Sequence, residues 1–283
     1  MTSVNDIAFF LCEKNLKGRE RSLMYGNMGI AIFLMCLWKQ TKKDKFYRKA
    51  SELVVDAFDF LTRQIHVHRL APRQADLSFD TGIGGIAWGI NYLILNELIE
   101  CDFDDTMCLI DDFIFRQMID CIYSNNVNDI RLALQIGLYA IERSSRFSQE
   151  YVRRFVKEWR NRLISEADKS ASIWFIGNEI VPLFLLNKIS LRHPDFEYVF
   201  EIQRLYRPGT ASGTPEDIDI FVRNRLLSLL EYSNENDDFR KWFTPSRGIY
   251  ALHYGLKDGL AGIALAQMEP IPGIVPWSEC LFT

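Results

Sequence analysis

Leu23-Met24-Tyr25-Gly26-Asn27-Met28-Gly29-Ile30-Ala31 returns later in the chain as Phe79-Asp80-Thr81-Gly82-Ile83-Gly84-Gly85-Ile86-Ala87 and again as Lys257-Asp258-Gly259-Leu260-Ala261-Gly262-Ile263-Ala264. All three contain Gly-x-x-Gly-Ile-Ala, and a repeated unit of this kind sets the architecture before any single motif does. The first two copies are 56 residues apart and the last two 177, about three times 59, which leaves room for degenerate units between them. Gly137, 55 residues after Gly82, and Gly177 mark candidates for those units. Glycine costs roughly 1 kcal/mol in a helix interior, so it belongs at a helix entrance, where it permits positive φ and close backbone approach. The repeats therefore predict helix N-termini at Gly26 and Gly29, at Gly82 and Gly85, and at Gly259 and Gly262.

Outward from these entrances the chain reads as helical. Clean two-residue alternation is scarce, whereas apolar residues recur at three- and four-residue steps. Gly29 to Trp38 and Gly85 to Leu95 are apolar nearly all the way round, the mark of helices with no wet face. Other segments carry one apolar stripe: Phe46, Ala50, Leu53, Val54, Ala57 and Leu61; then Met107, Ile110, Ile114, Met118 and Ile122; then Val152, Phe155, Val156, Trp159 and Leu163. Arg153, Arg154, Lys157, Arg160 and Arg162 lie largely off the last stripe and read as a solvated face. Thr214-Pro215-Glu216-Asp217 supplies an N-cap, a first-position proline and first-turn acids, so a helix should begin there, after the loop from Arg207 to Gly213. Wholly buried helices alternating with one-sided ones are satisfied together by an inner and an outer ring. The predicted fold is all-α, an α/α toroid of helical hairpins forming one domain over residues 1–283.

Composition narrows the function classes. The chain has 283 residues, 48% apolar and 25% charged, the profile of a globular protein with a sizeable core. With 33 basic and 37 acidic side chains the net charge is −4, which argues against an electrostatic grip on nucleic acid. The longest apolar run, Met28 to Trp38, is about half of the roughly 20 residues that a membrane span needs, and no basic residue precedes Ile7 to Cys12 as a signal peptide requires. These features predict a cytoplasmic protein without membrane partners. Cysteines 12, 36, 101, 108, 121 and 280 are scattered, with no C-x-x-C pair, and read as free thiols. Cys280-Leu281-Phe282-Thr283 has the outline of a prenylation box but an atypical last residue, and reads as chance.

Two glycines three apart would let several helix N-termini crowd around one axis. Their unpaired N–H groups and positive dipole ends would then face an anion or a peptide carbonyl there. Packing alone is the simpler role for these glycines. Asp80 and Asp258 precede inner helices and are candidate catalytic carboxylates of the kind that sugar-cleaving α/α toroids use in pairs, although an acid beside a helix N-terminus is stabilising in any case. His66-Val67-His68 has ligand-like spacing, but no nearby cysteine completes a site.

The repeated Gly-x-x-Gly units, including Ser22 to Ala31 and Gly255-Leu256-Lys257-Asp258-Gly259-Leu260-Ala261-Gly262-Ile263-Ala264, resemble the lanthionine synthetase C-like (LanC-like) family over about Ser22 to Met268. The resemblance implies an α/α toroid and a peptide thioether cyclase, whose zinc is held by two cysteines and a histidine and activates a substrate thiol. Residue-by-residue transfer fails at the metal. Trp174-Phe175-Ile176-Gly177 is similar to the family's Trp-Cys-x-Gly segment, with Phe175 where the cysteine ligand should be, and no adjacent Cys and His lie between Gly177 and Gly255. Leu252-His253-Tyr254-Gly255 looks like the missing Cys-His-Gly segment but has leucine for cysteine and one extra residue. No zinc or other cofactor is expected, and His253 reads as a core histidine or a thiol-deprotonating base.

The resulting expectation is a LanC-like protein of ribosomal-peptide modification, of lanthipeptide type, with a degenerate zinc site. It would bind a precursor peptide or dock on a lantibiotic-type dehydratase. Two alternatives stand beside it: an α/α-toroid glycoside hydrolase using paired carboxylates, and zinc-independent thioether cyclisation.

Overall fold

A computed structural model describes residues 3–16, 18, 20–70, 76–101, 103–124, 126–143, 146–166, 254–257 and 259–275, together with Leu185, Ile189, Tyr198 and Trp277. The described elements are all α-helices: α1 Val4–Glu13, α2 Asn27–Thr41, α3 Asp44–Leu70, α4 Ile83–Leu95, α5 Phe103–Tyr123, α6 Val127–Glu142, α7 Arg146–Glu166 and α8 Leu260–Gln267. None of them is long and apolar enough to cross a membrane.

Local sequence explains where these helices start. α1 opens on a capping box in which the Ser3 side chain accepts from Asp6 N while the Asp6 carboxylate accepts from Ser3 N. α2, α4 and α8 each start directly after a glycine, Gly26, Gly82 and Gly259, and none has a side-chain cap.

Burial follows the sequence periods. Every residue of α2 from Asn27 to Leu37 is buried, as is every residue of α4 from Ile83 to Leu93 and of α8 from Leu260 to Ala266. The stripe from Phe46 to Leu61 is buried along α3, that from Met107 to Ile122 along α5, and that from Val152 to Leu163 along α7. Arg153, Arg154 and Lys157 are exposed on the opposite side of α7. At about 25 cal/mol per Å² of apolar area, two-layer burial of this kind is the main stabilising term.

Helix neighbours sort into two rows. α8, α2, α4 and α6 touch in that order, and α1, α3, α5 and α7 touch in that order outside them. Across the rows, α2 packs most on α3, α4 more on α3 than on α5, and α6 more on α5 than on α7, while the α2–α3 and α6–α7 connections are short. α8 breaks the rule of sequence order, because the helix beside it is α1. Residues after α8 cross to the far end of α4, where the Tyr92 hydroxyl donates to Val275 O at 2.8 Å and Val275 N donates to Asn96 Oδ1 at 2.8 Å.

One buried ion pair ties α5 to α6. Arg143 Nε lies 2.9 Å from both Asp111 carboxylate oxygens, and the Tyr139 hydroxyl donates to Asp111 Oδ1 at 2.7 Å. All three side chains are at most 1% exposed. Burial and the Asp111 charge hold the Tyr139 phenol well above its ordinary range.

Gly137 departs from its expected place. It lies inside α6 rather than at an entrance, and a β-carbon there would meet the Phe155 ring at 3.3 Å and Leu185 at 3.6 Å. Its small size serves packing against α7, and α6 joins the inner row without the glycine-marked start.

Candidate functional site

The three glycine entrances are built alike. In each, the chain runs back along the first turn of its helix so closely that a β-carbon on the second glycine would collide with the carbonyl oxygen six residues earlier: Leu23 O at Gly29, Phe79 O at Gly85 and Leu256 O at Gly262. The preceding glycines repeat this for two copies, Gly26 against Glu20 O and Gly82 against Asp76 O. The N-cap glycines have φ of −130°, −98° and −125° with extended ψ, so at Gly26 and Gly82 close approach is what demands glycine. None of the three uses the positive φ that glycine permits.

The same geometry alters the expected chemistry. Asn27 N donates to Glu20 O at 2.8 Å and Ile83 N to Asp76 O at 2.9 Å. Ala261 N donates to Tyr254 O at 3.2 Å, while Gly85 N and Gly262 N donate to Ser78 O and Gly255 O at 3.4 and 3.2 Å. Five of the first-turn N–H groups expected to stand open toward an axis, those of Asn27, Ile83, Gly85, Ala261 and Gly262, are therefore taken up by their own loops.

The entrances also touch one another at equivalent positions. Met24, Asp80 and Lys257 occupy the same place in their repeats; Lys257 N donates to Met24 O at 3.0 Å, and Met24 N donates to Asp80 O at 3.2 Å. Side chains follow suit: Leu256 Cγ would lie 2.7 Å from a β-carbon at Gly29, and Leu23 Cβ 2.9 Å from one at Gly85. The last repeat thus grips the first as the first grips the second.

Three polar side chains meet over this junction, one from each repeat. Lys257 Nζ lies 3.0 Å from Asp80 Oδ2 and 5.9 Å from the centre of the Tyr25 ring. The Lys257 and Asp80 side chains are 42% and 32% exposed, so the pair faces solvent. Burial alone would lower the Lys257 pKa, but the hydrogen bond and charge of Asp80, helped by Tyr25, outweigh it and raise the value. Beside them, Thr81 Oγ1 donates to Asp76 Oδ2 at 3.0 Å and lies 2.8 Å from Ser78 Oγ.

Of the sequence-derived site residues, Asp80 and five of the six motif glycines, Gly26, Gly29, Gly82, Gly85 and Gly262, are in contact with this junction or its loops, and Gly259 caps α8. His253, Asp258 and Phe175 lie outside the described residues. Lys257 and Tyr25 were not singled out by the sequence; their signal was their place at non-glycine positions of the repeat. His66 is exposed on α3.

Among the described residues no three His, Cys, Asp or Glu side chains come together as a metal site. Cys36 is buried and its thiol is pushed up to about 12 by desolvation, opposed weakly by a hydrogen bond with Tyr92. Burial likewise raises Cys121 to about 11. Neither thiol is poised as a thiolate ligand. Phenylalanine at 175, which lies outside the described residues, offers no donor atom to a metal. No family model, curated protein or solved structure matches the chain.

Proposed function

We propose that this chain is a LanC-like α/α toroid with a degenerate zinc site, which binds a peptide over its glycine entrances in ribosomal-peptide modification, alone or docked on a dehydratase. The observation that carries the reading is the repeated handover: Leu256 on Gly29 repeats Leu23 on Gly85, and α1 fills the outer place beside α8. That the last repeat meets the first as the first meets the second, although they lie at opposite ends of the repeat array in sequence, supports a ring.

In this reading the peptide meets Tyr25, Asp80 and Lys257. Together they offer a hydroxyl, a carboxylate for backbone N–H groups and an ammonium for carbonyls or carboxylates. Asp80 is held by Lys257, which suits positioning better than the acid role that a glycosidase would ask of it.

Elemental analysis and mass spectrometry test the proposal together. The purified chain should carry far less than one zinc per molecule, bind a dehydrated cysteine-containing peptide and return it with its free thiol intact. Stoichiometric zinc would overturn the degenerate-site claim. Thioether formation without zinc would replace it with metal-independent cyclisation, and loss of that activity in His253→Ala would name the base. Hydrolysis of an oligosaccharide, abolished in Asp80→Asn, would establish the glycosidase alternative.

A further inference from the structure

The start of α3, with Cys12 of α1, lines a shallow, open groove of about 460 Å³ made by Cys12, Asp44, Lys45, Arg48, Lys49 and Glu52. It lies in a strongly basic stretch of the sequence. From Lys39 to Lys49 six cations stand against one acid, 6 − 1 = +5, in a chain whose total is −4.

The placement of these cations is unfavourable for the helix that carries them. Lys45, Arg48 and Lys49 are spaced i, i+3 and i+4, so like charges share one face, and Lys45 sits in the first turn of α3, at the positive end of its dipole. Lys49 is relieved by Glu52 at 3.3 Å, and Lys45 leans over the Phe9 ring at 5.0 Å. Arg48 is exposed and makes no ion pair among the described residues. An anionic group in the groove would remove the repulsion that the helix otherwise sustains.

The two acids in the lining decide the class of partner. A phosphodiester backbone or an anionic bilayer would bring only negative charge and acceptors toward Asp44 and Glu52, whereas a peptide also brings N–H donors. We propose that this groove binds an extended acidic peptide segment of a partner protein, its carboxylates on Lys45 and Arg48 and its backbone N–H groups on Asp44 and Glu52. None of the entrance residues lines this groove, and the proposal does not depend on the peptide-modification reading.

Fluorescence anisotropy of the full chain with a short labelled Glu- and Asp-rich peptide tests it, alongside a Lys-rich peptide, a single-stranded oligonucleotide and phosphatidylserine vesicles. Binding of the acidic peptide should weaken about tenfold or more in Lys45→Glu/Arg48→Glu and fall with added salt. It should stay unchanged in Lys157→Glu, which reverses an exposed cation on α7. In a Cys101→Ser/Cys108→Ser background the bound peptide should slow alkylation of Cys12. No acidic-peptide binding, tighter binding of the oligonucleotide or vesicles, equal weakening in Lys157→Glu, or unchanged Cys12 alkylation would each overturn the proposal. Thermal melts by circular dichroism check that each variant is folded.

Discussion

Leu256 presses on Gly29 so closely that a β-carbon on the glycine would lie 2.7 Å from Leu256 Cγ and 3.1 Å from Leu256 N, although the two residues are far apart in the chain. Leu23 O closes the same space from the other side. Gly29→Ala therefore meets backbone in two directions and should lose about 1–3 kcal/mol of stability in urea unfolding. Gly137→Ala is the contrast. Its new methyl group meets only side chains, nearest the Phe155 ring edge, and the helix interior gains about 1 kcal/mol of propensity, so the net change should stay within about 1 kcal/mol. Equal losses at both positions would show that the entrance contact is not tight.

Neighbouring residues in the last repeat should behave very differently. Leu256 is fully buried, so Leu256→Ala should cost about 2–5 kcal/mol by chemical denaturation. Lys257→Ala breaks an ion pair that is substantially exposed on both sides, which is worth roughly 0–1 kcal/mol and should shrink further in high salt. A large, salt-independent loss at Lys257 would assign it a structural role beyond the Asp80 contact.

Removing Asp111 leaves the Arg143 guanidinium buried without its carboxylate. Asp111→Ala should destabilise by about 3–5 kcal/mol. Tyr139→Phe, which deletes one hydrogen bond to that carboxylate, should cost about 1.5–3 kcal/mol. A denaturation midpoint for Asp111→Ala close to that of the wild type would contradict the buried pair.

Cys36 links stability to alkaline pH. Its thiol pKa is raised from the ordinary 9.0 to about 12, so the folded state holds a proton that the unfolded state releases. The contribution is fully present below about pH 9 and is lost as pH rises through about 12. Stability measured from pH 8 to 11 should fall, and should fall less steeply in Cys36→Ala measured against its own value at pH 8. In the native protein at pH 8, Cys36 should resist alkylation on the timescale on which exposed Cys108 reacts. Rapid modification of Cys36 without unfolding would refute its burial.

The entrances were legible in the sequence because a glycine is irreplaceable where two backbones nearly touch, and three copies of one spacing are difficult to produce otherwise. What glycine does there was less legible. Positive φ and close approach both select it, and the negative φ angles at the three entrances leave only the second. Several of the N–H groups thought open to a ligand, Asn27 N and Ile83 N among them, are consumed by loop carbonyls, a fact that depends on how the chain doubles back. Gly137 shows the limit of counting: its distance from Gly82 matches the repeat, yet the residue lies within α6.

Helix identity and the buried face of each helix were readable from the chain because a 3.6-residue period is a local property, carried by Phe46 to Leu61 or Val152 to Leu163 without reference to anything else. Partnership is not local. That α1 lies beside α8, that Lys257 reaches Asp80, and that Asp111 meets Arg143 in the dry interior are through-space facts. Many pairings of the same apolar stripes bury comparable area, and only packed shape and buried charge select among them.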